Sequence, residues 1–214
     1  MATGLGEAAC VAAETLVADG AHALVSFGLA GGLKEKEGLA SGTPIVADRV
    51  VTEAATWRLR DAAPLAHELA ARAGPLYSAA TPLATPAEKR AAAARTGAFA
   101  VDMESGHVLA AARRHGLPAL VLRVVADPAE RALPRLAASA ARPDGTLDPW
   151  ATATALLRYP TDWWLVALSA RDTARARAAL RRAAAGLARL AGEGVLERFL
   201  DVPIEDVGRG PLLG

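Results

Sequence analysis

Ala119-Leu120-Val121-Leu122-Arg123-Val124-Val125, closed by Ala126-Asp127-Pro128, is the stretch that decides the fold. It is apolar throughout except for Arg123, the pattern of a strand buried on both faces. Just upstream, Glu104 to His115 has helical spacing, and Gly116 with Pro118 terminates it. Ala98-Phe99-Ala100-Val101 is a short strand before that helix. Thr85-Pro86-Ala87-Glu88 opens an earlier helix, with threonine at the N-cap, proline at the first helical position and glutamate at the capping-box position. Further back, the sequence predicts a strand from Leu76 to Leu83 and a helix from Asp61 to about Ala73. A strand over 44–51 follows the Ser41-Gly42 turn. A strand over 23–27 closes on Gly28, and a helix over 7–19 is ended by Asp19-Gly20. Strands separated by helices predict an α/β fold of three layers, with a central, mostly parallel (mixed) sheet flanked by helices.

Downstream the chain changes character after about Pro134. Arg142-Pro143-Asp144-Gly145 is a turn, and Leu147 to about Ala191 is helical in pattern, broken near Tyr159-Pro160. The expected organisation is an α/β domain over 1–134, a helical extension over 135–191 with its main helices starting near Thr161, and a loose tail over 192–214.

Composition narrows the function classes. The chain has 214 residues, 52% of them hydrophobic and 22% charged, so it can bury an ordinary core and is not a disordered polymer. The 24 basic and 23 acidic residues nearly cancel, which argues against a nucleic-acid surface or a polybasic membrane anchor. The lone Cys10 excludes an internal disulfide and a four-cysteine zinc site. His22, His67, His107 and His115 show no ligand spacing, so no metal is expected. The opening Met-Ala-Thr-Gly-Leu-Gly has no signal-peptide pattern, and a cytoplasmic setting is expected.

In such sheets ligands bind beyond the C-terminal ends of the strands. Three features fall there. In Ser26-Phe27-Gly28-Leu29-Ala30-Gly31-Gly32-Leu33, glycines permit close backbone approach to a ligand, or simply make a tight strand-to-helix turn. In Val101-Asp102-Met103-Glu104-Ser105, one carboxylate caps a helix or accepts the paired hydroxyls of a sugar diol. In Ala126-Asp127-Pro128, the aspartate is a turn residue or a general acid whose pKa is raised by burial. Gly4-Leu5-Gly6-Glu7-Ala8-Ala9 only partly mimics a dinucleotide fingerprint, because no strand precedes it.

These features, in this order, resemble the purine nucleoside phosphorylase/uridine phosphorylase superfamily, in its methylthioadenosine/adenosylhomocysteine nucleosidase-like branch. The resemblance covers about residues 4–134. Pro82 to Lys89, Ala126-Asp127-Pro128-Ala129, Arg131-Ala132-Leu133-Pro134 and the arginine-rich C-terminus are most similar to the hopanoid-associated phosphorylase group. The resemblance implies cleavage of the N-glycosidic bond of an adenine nucleoside, with a lipid-linked adenosine such as adenosylhopane as substrate. By position it implies that Asp127 donates a proton or strong hydrogen bond to purine N7. Met103 would pack on the ribose and Glu104 would accept its 2′- and 3′-hydroxyls. Gly28, Ala30 and Gly31 would belong to the loop beside the base, and Leu83 to the base-stacking segment. No organic cofactor is implied; phosphate is a co-substrate only if the reaction is phosphorolysis. A homodimer is implied, and nucleic acid is not a partner.

Leu29 departs from the serine of methylthioadenosine nucleosidases. Family members also begin with further strands, which carry the group that activates water or binds phosphate. Gly4-Leu5-Gly6 aligns with a later family segment, so those strands are expected to be missing and no nucleophile-activating residue is assigned. The alternatives are a catalytically degenerate nucleoside-binding relative, a phosphate-dependent phosphorylase and, least favoured, a nicotinamide dinucleotide enzyme. Finally, Trp150, Tyr159, Trp163-Trp164-Leu165-Val166 and Leu168 cluster in an aromatic-poor chain. They would form an apolar lid or membrane-facing patch, or bury against the sheet or a dimer partner.

Overall fold

The computed structural model describes residues 5–34, 39–132, 163–200 and 204–208. Helix α1 spans Leu5–Ala18, followed by β1 (Leu24–Gly32), β2 (Pro44–Val51) and β3 (Thr56–Arg58). Then come α2 (Ala62–Glu68), β4 (Arg72–Ser78), α3 (Pro86–Thr96), β5 (Ala100–Asp102), α4 (Ser105–Arg114) and β6 (Ala119–Asp127). Helix α5 spans Trp163–Gly192, and a short β7 (Glu205–Asp206) completes the sheet.

The strand order is β4-β5-β1-β6-β2-β3-β7, and β2 also pairs with β4. Strands β4, β5, β1, β6 and β2 therefore close into a ring, with β3 and β7 continuing from β2. The sheet is mixed: β1–β6, β2–β4 and β4–β5 are parallel, while β1–β5, β2–β3, β2–β6 and β3–β7 are antiparallel.

Strand β6 shows why the deciding stretch is apolar on both faces. Side chains alternate along a strand. Leu120, Leu122 and Val124 pack in one cluster with Leu65 of α2 and Ala176, Ala179 and Ala183 of α5. Val121 and Val125 pack in the other with Ala13 of α1 and Leu109 of α4. Arg123 is on the α1/α4 side and is nevertheless buried.

Three boundaries differ from the sequence reading. The predicted helix from Asp61 to Ala73 stops at Glu68, and Asp61 and Ala70 adopt left-handed backbone at φ 56° and 48°. The alanine-rich run favours helix locally, but Arg72 and Ala73 pair with Ile45 and Val46 of β2, and tertiary pairing overrides propensity. Strand β4 consequently runs over 72–78 rather than 76–83, which leaves residues 81–83 outside the sheet. Strand β1 does not end at Gly28. It continues through Gly32, bonded to β6 and, at Gly31 and Gly32, to β5. The glycine segment is thus strand, with an irregularity at Ala30/Gly31, and not a strand-to-helix turn.

The C-terminal part carries structure where a loose tail is expected. A 3-10 turn at Leu196–Phe199 packs its apolar residues against the α2/α5 cluster. Ile204 is buried, and β7 adds to the exposed edge of β3, an unpaired strand edge that accepts another strand readily. Trp150, Tyr159 and the Arg142–Gly145 turn lie outside the described residues, as do the side chains of Trp163, Trp164, Leu165 and Val166. Among the described residues no helix is long and apolar enough to cross a membrane.

The predicted capping box of α3 is present: the Glu88 N–H donates to Thr85 Oγ1 at 3.2 Å, and the Thr85 N–H donates to Glu88 Oε2 at 2.9 Å. Thr85→Ala is expected to cost about 1 kcal/mol in urea unfolding. An unchanged midpoint would show that the box contributes nothing.

Candidate active site

A cavity of about 210 Å³ opens beside the C-terminal ends of β1 and β6 and the β5–α4 junction. Ala30 and Gly31 enter it from β1, Met103 and Glu104 from the β5–α4 junction, Asp127 from the end of β6, and Leu83 from the segment before α3. Six of the seven sequence-predicted site residues therefore meet in one place. The seventh, Gly28, lines a neighbouring cavity of about 490 Å³ that shares Leu29 and Glu104 with the first.

Asp127 sits opposite Gly31 in the β1–β6 register. A Cβ at Gly31 would lie 3.2 Å from Asp127 Oδ1, so the glycine gives the carboxyl its room. Behind Asp127 stands Lys89 of α3, whose side chain is 1% exposed. Its Nζ donates to Asp127 Oδ2, to the Pro128 carbonyl at 3.0 Å and to the Arg131 carbonyl at 2.9 Å. Burial pushes the Asp127 pKa above the usual aspartate range; Lys89 opposes this without cancelling it.

Glu104 occupies the N-cap position of α4 but makes no capping bond. Asp102 takes that task, its Oδ2 accepting the Ser105 N–H at 3.0 Å. The carboxylate of Glu104 is thereby left for the cavity, 3.4 Å from Arg123 Nη1. Burial raises the Glu104 pKa, and the Arg123 charge works against the rise.

Arg123 organises this wall. Its Nη2 donates to Ser26 Oγ at 2.7 Å and lies 2.6 Å from Asp102 Oδ2, and its Nε donates to Ser105 Oγ at 3.2 Å. Gly28 lies beneath it: a Cβ there would stand 2.3 Å from Arg123 Nη1. Gly28 thus makes space for a guanidinium rather than for a ligand in the smaller cavity.

Lys89, Asp102 and Arg123 were not singled out as site residues by the sequence. The signal for Lys89 was present, since it is one of only three lysines in a chain that otherwise uses arginine. Among the described residues no group of three or more His, Cys, Asp or Glu side chains could hold a metal ion.

Fold and site together define an α/β protein with two carboxylates converging on a strand-end pocket. The chain belongs to the Phosphorylase superfamily, whose family model matches residues 2–146. Solved structures agree on the fold. A Helicobacter pylori 5′-methylthioadenosine/S-adenosylhomocysteine nucleosidase bound to butyl-thio-DADMe-Immucillin-A has TM-score 0.59 and 15% identity, covering 86% of this chain and 76% of that one. Helicobacter pylori futalosine hydrolase has TM-score 0.53 and 17% identity, covering 82% and 74%. A second structure of the Helicobacter pylori nucleosidase, with another inhibitor, has TM-score 0.50 and 17% identity. It is matched over 58% of this chain, which spans only 64% of that structure's length. No curated protein matches the chain.

Proposed function

We propose that this protein cleaves the N-glycosidic bond of an adenine nucleoside. The supporting observation is that Asp127, at the end of β6, and Glu104, just after β5, line one cavity from either side of β1. Loss of the base leaves an oxocarbenium-like sugar, so the barrier falls when the departing base is protonated and the ribose is clamped. Asp127, its proton affinity raised by burial, supplies the proton or hydrogen bond to purine N7. Glu104 offers two acceptor oxygens to the 2′- and 3′-hydroxyls. Met103 packs on the ribose, and Leu83 stacks near the base.

Water is the preferred acceptor. Phosphate calls for arginine, lysine or free backbone N–H groups. Lys89, the one basic residue lining the cavity among the described residues, already spends all three donors within the protein. A 5′-substituted adenosine with an apolar, lipid-like tail is the preferred substrate. The adjoining cavity supports this, since Ala12, Leu16, Val25, Phe27 and Leu29 line it and it meets the first at Glu104.

The test is adenine release by the purified chain from adenosine and from a 5′-alkylated adenosine, each with and without phosphate. Release without phosphate, faster for the alkylated compound, is expected. Glu104→Gln is expected to lower kcat/KM roughly 10- to 100-fold, the worth of a hydrogen bond to a charged acceptor. Release that depends on phosphate would make the enzyme a phosphorylase. Nucleoside binding with no release would make the chain a degenerate relative.

A further inference from the structure

The least expected group in the molecule is a lysine with no exposure to solvent. Lys89 is 0% exposed and is the largest fully buried side chain among the described residues. Taking an ammonium out of water costs several kcal/mol unless every donor is matched. Here every donor is: one N–H goes to Asp127 Oδ2, one to the Pro128 carbonyl and one to the Arg131 carbonyl. An apolar side chain would fill the same space without that desolvation cost. What lysine alone supplies is a positive charge and a directed donor behind one oxygen of Asp127.

The seat of the ammonium is itself braced. Arg131, whose carbonyl accepts from Lys89, pairs through its guanidinium with Asp172 of α5. The Asp172 carbonyl in turn accepts from Ser41 Oγ at 2.7 Å, on the loop before β2. The segment after β6 is therefore fixed from α3 on one side and from α5 on the other. On the cavity side, Asp127 meets the glycine of β1, which leaves Oδ1 unobstructed.

We propose that Lys89 is the positioning residue for Asp127, clamping Oδ2 from behind so that the other oxygen is presented to the substrate base. This rests on the nucleoside-cleaving function proposed above. Lys89 itself touches no reacting atom; it acts through the carboxyl. The charged groups acting on Asp127 are Lys89 from α3 and Arg131 from the segment after β6, with Glu104 lining the same cavity. Lys89 is the larger of the two cationic influences on Asp127, so its removal strengthens the hold of the carboxyl on its proton.

The experiment is the pH profile of adenine release for Lys89→Met, Lys89→Arg, Asp127→Asn and the Lys89→Met/Asp127→Asn double variant. A proton donor works below its pKa, so activity falls as pH rises through it. In Lys89→Met that alkaline limb is expected to move up by about one to three pH units, the usual influence of an adjacent opposite charge on a carboxyl. Lys89→Arg, which keeps the charge, is expected to leave the limb near its wild-type position. In the Asp127→Asn background Lys89→Met is expected to cost little more, because a residue acting through Asp127 has nothing left to act on. An unmoved limb, or costs that simply add, would make Lys89 a structural staple and overturn the proposal. The double variant also removes the unpaired buried charge that could unfold the single one. Should the wild type release no adenine, the proposed function fails by itself. The titration of the Asp127 carboxyl carbon, followed by NMR in wild type and Lys89→Met, still decides the clamp: an upward shift supports it and identical curves overturn it.

Discussion

Asp127→Asn is expected to slow adenine release by roughly 10²- to 10⁴-fold, the usual contribution of a general acid, while the protein stays folded and still binds nucleoside. Asparagine keeps the size of the side chain and an acceptor for Lys89 Nζ, so the clamp loses its charge but not its shape. It can donate a hydrogen bond to N7 yet cannot hand over a proton. The loss therefore belongs to kcat, with KM changing little. The pH profile gives an independent check. Burial raises the Asp127 pKa, so the falling limb of the wild-type profile must lie above the ordinary aspartate value of about 3.9. That limb must vanish in Asp127→Asn. Release at the wild-type rate would remove Asp127 from the chemistry, and the convergence of the two carboxylates would then mark a binding site only.

Much of this site was legible because strand ends are legible. An apolar run that stops at Ala126-Asp127 announces both a buried strand and a polar group at its tip, while the resemblance to a known family is what indicated which side chains would meet there. The capping box at Thr85 and Glu88 was readable for a similar reason, as the whole device lies within four residues. What escaped was non-local. The helix expected from Asp61 to Ala73 ends early because β2 recruits residues 72–77, a pairing between segments about 27 positions apart in sequence. The same pairing closes the ring of strands, and nothing in either segment alone announces it. The resemblance puts Gly28 in the ligand loop, but a glycine shows only that space is needed, not what fills it. The filler is Arg123, which sits 95 residues away on the paired strand. Lys89 was hidden because its helix is polar on average, and burial of one lysine on it depends on Asp127 standing opposite.

Arg123→Met is expected to destabilise the fold by about 3–5 kcal/mol, the cost of stripping one partner from a buried ion pair. Arg123 is 4% exposed and lies in the middle of the longest central strand pairing, its guanidinium between Ser26 of β1 and Ser105 of α4. Its loss strands Asp102, a carboxylate with no solvent exposure whose Oδ1 already lacks a hydrogen-bond partner among the described residues. The Ser105 N–H and hydroxyl still reach Asp102 Oδ2, but neither carries a compensating charge. Glu104 is affected too. Arg123 is the cation that opposes the burial-driven rise of its pKa, so in the variant Glu104 stays protonated to higher pH and is a poorer acceptor for the ribose hydroxyls. Urea unfolding of Arg123→Met, Asp102→Asn and the double variant separates these effects. The double variant should recover part of the loss, because no lone charge then remains buried. A change below about 1 kcal/mol in Arg123→Met would show that water reaches Asp102 in its place, and that the wall behind Glu104 is not the sealed ion pair that its geometry describes.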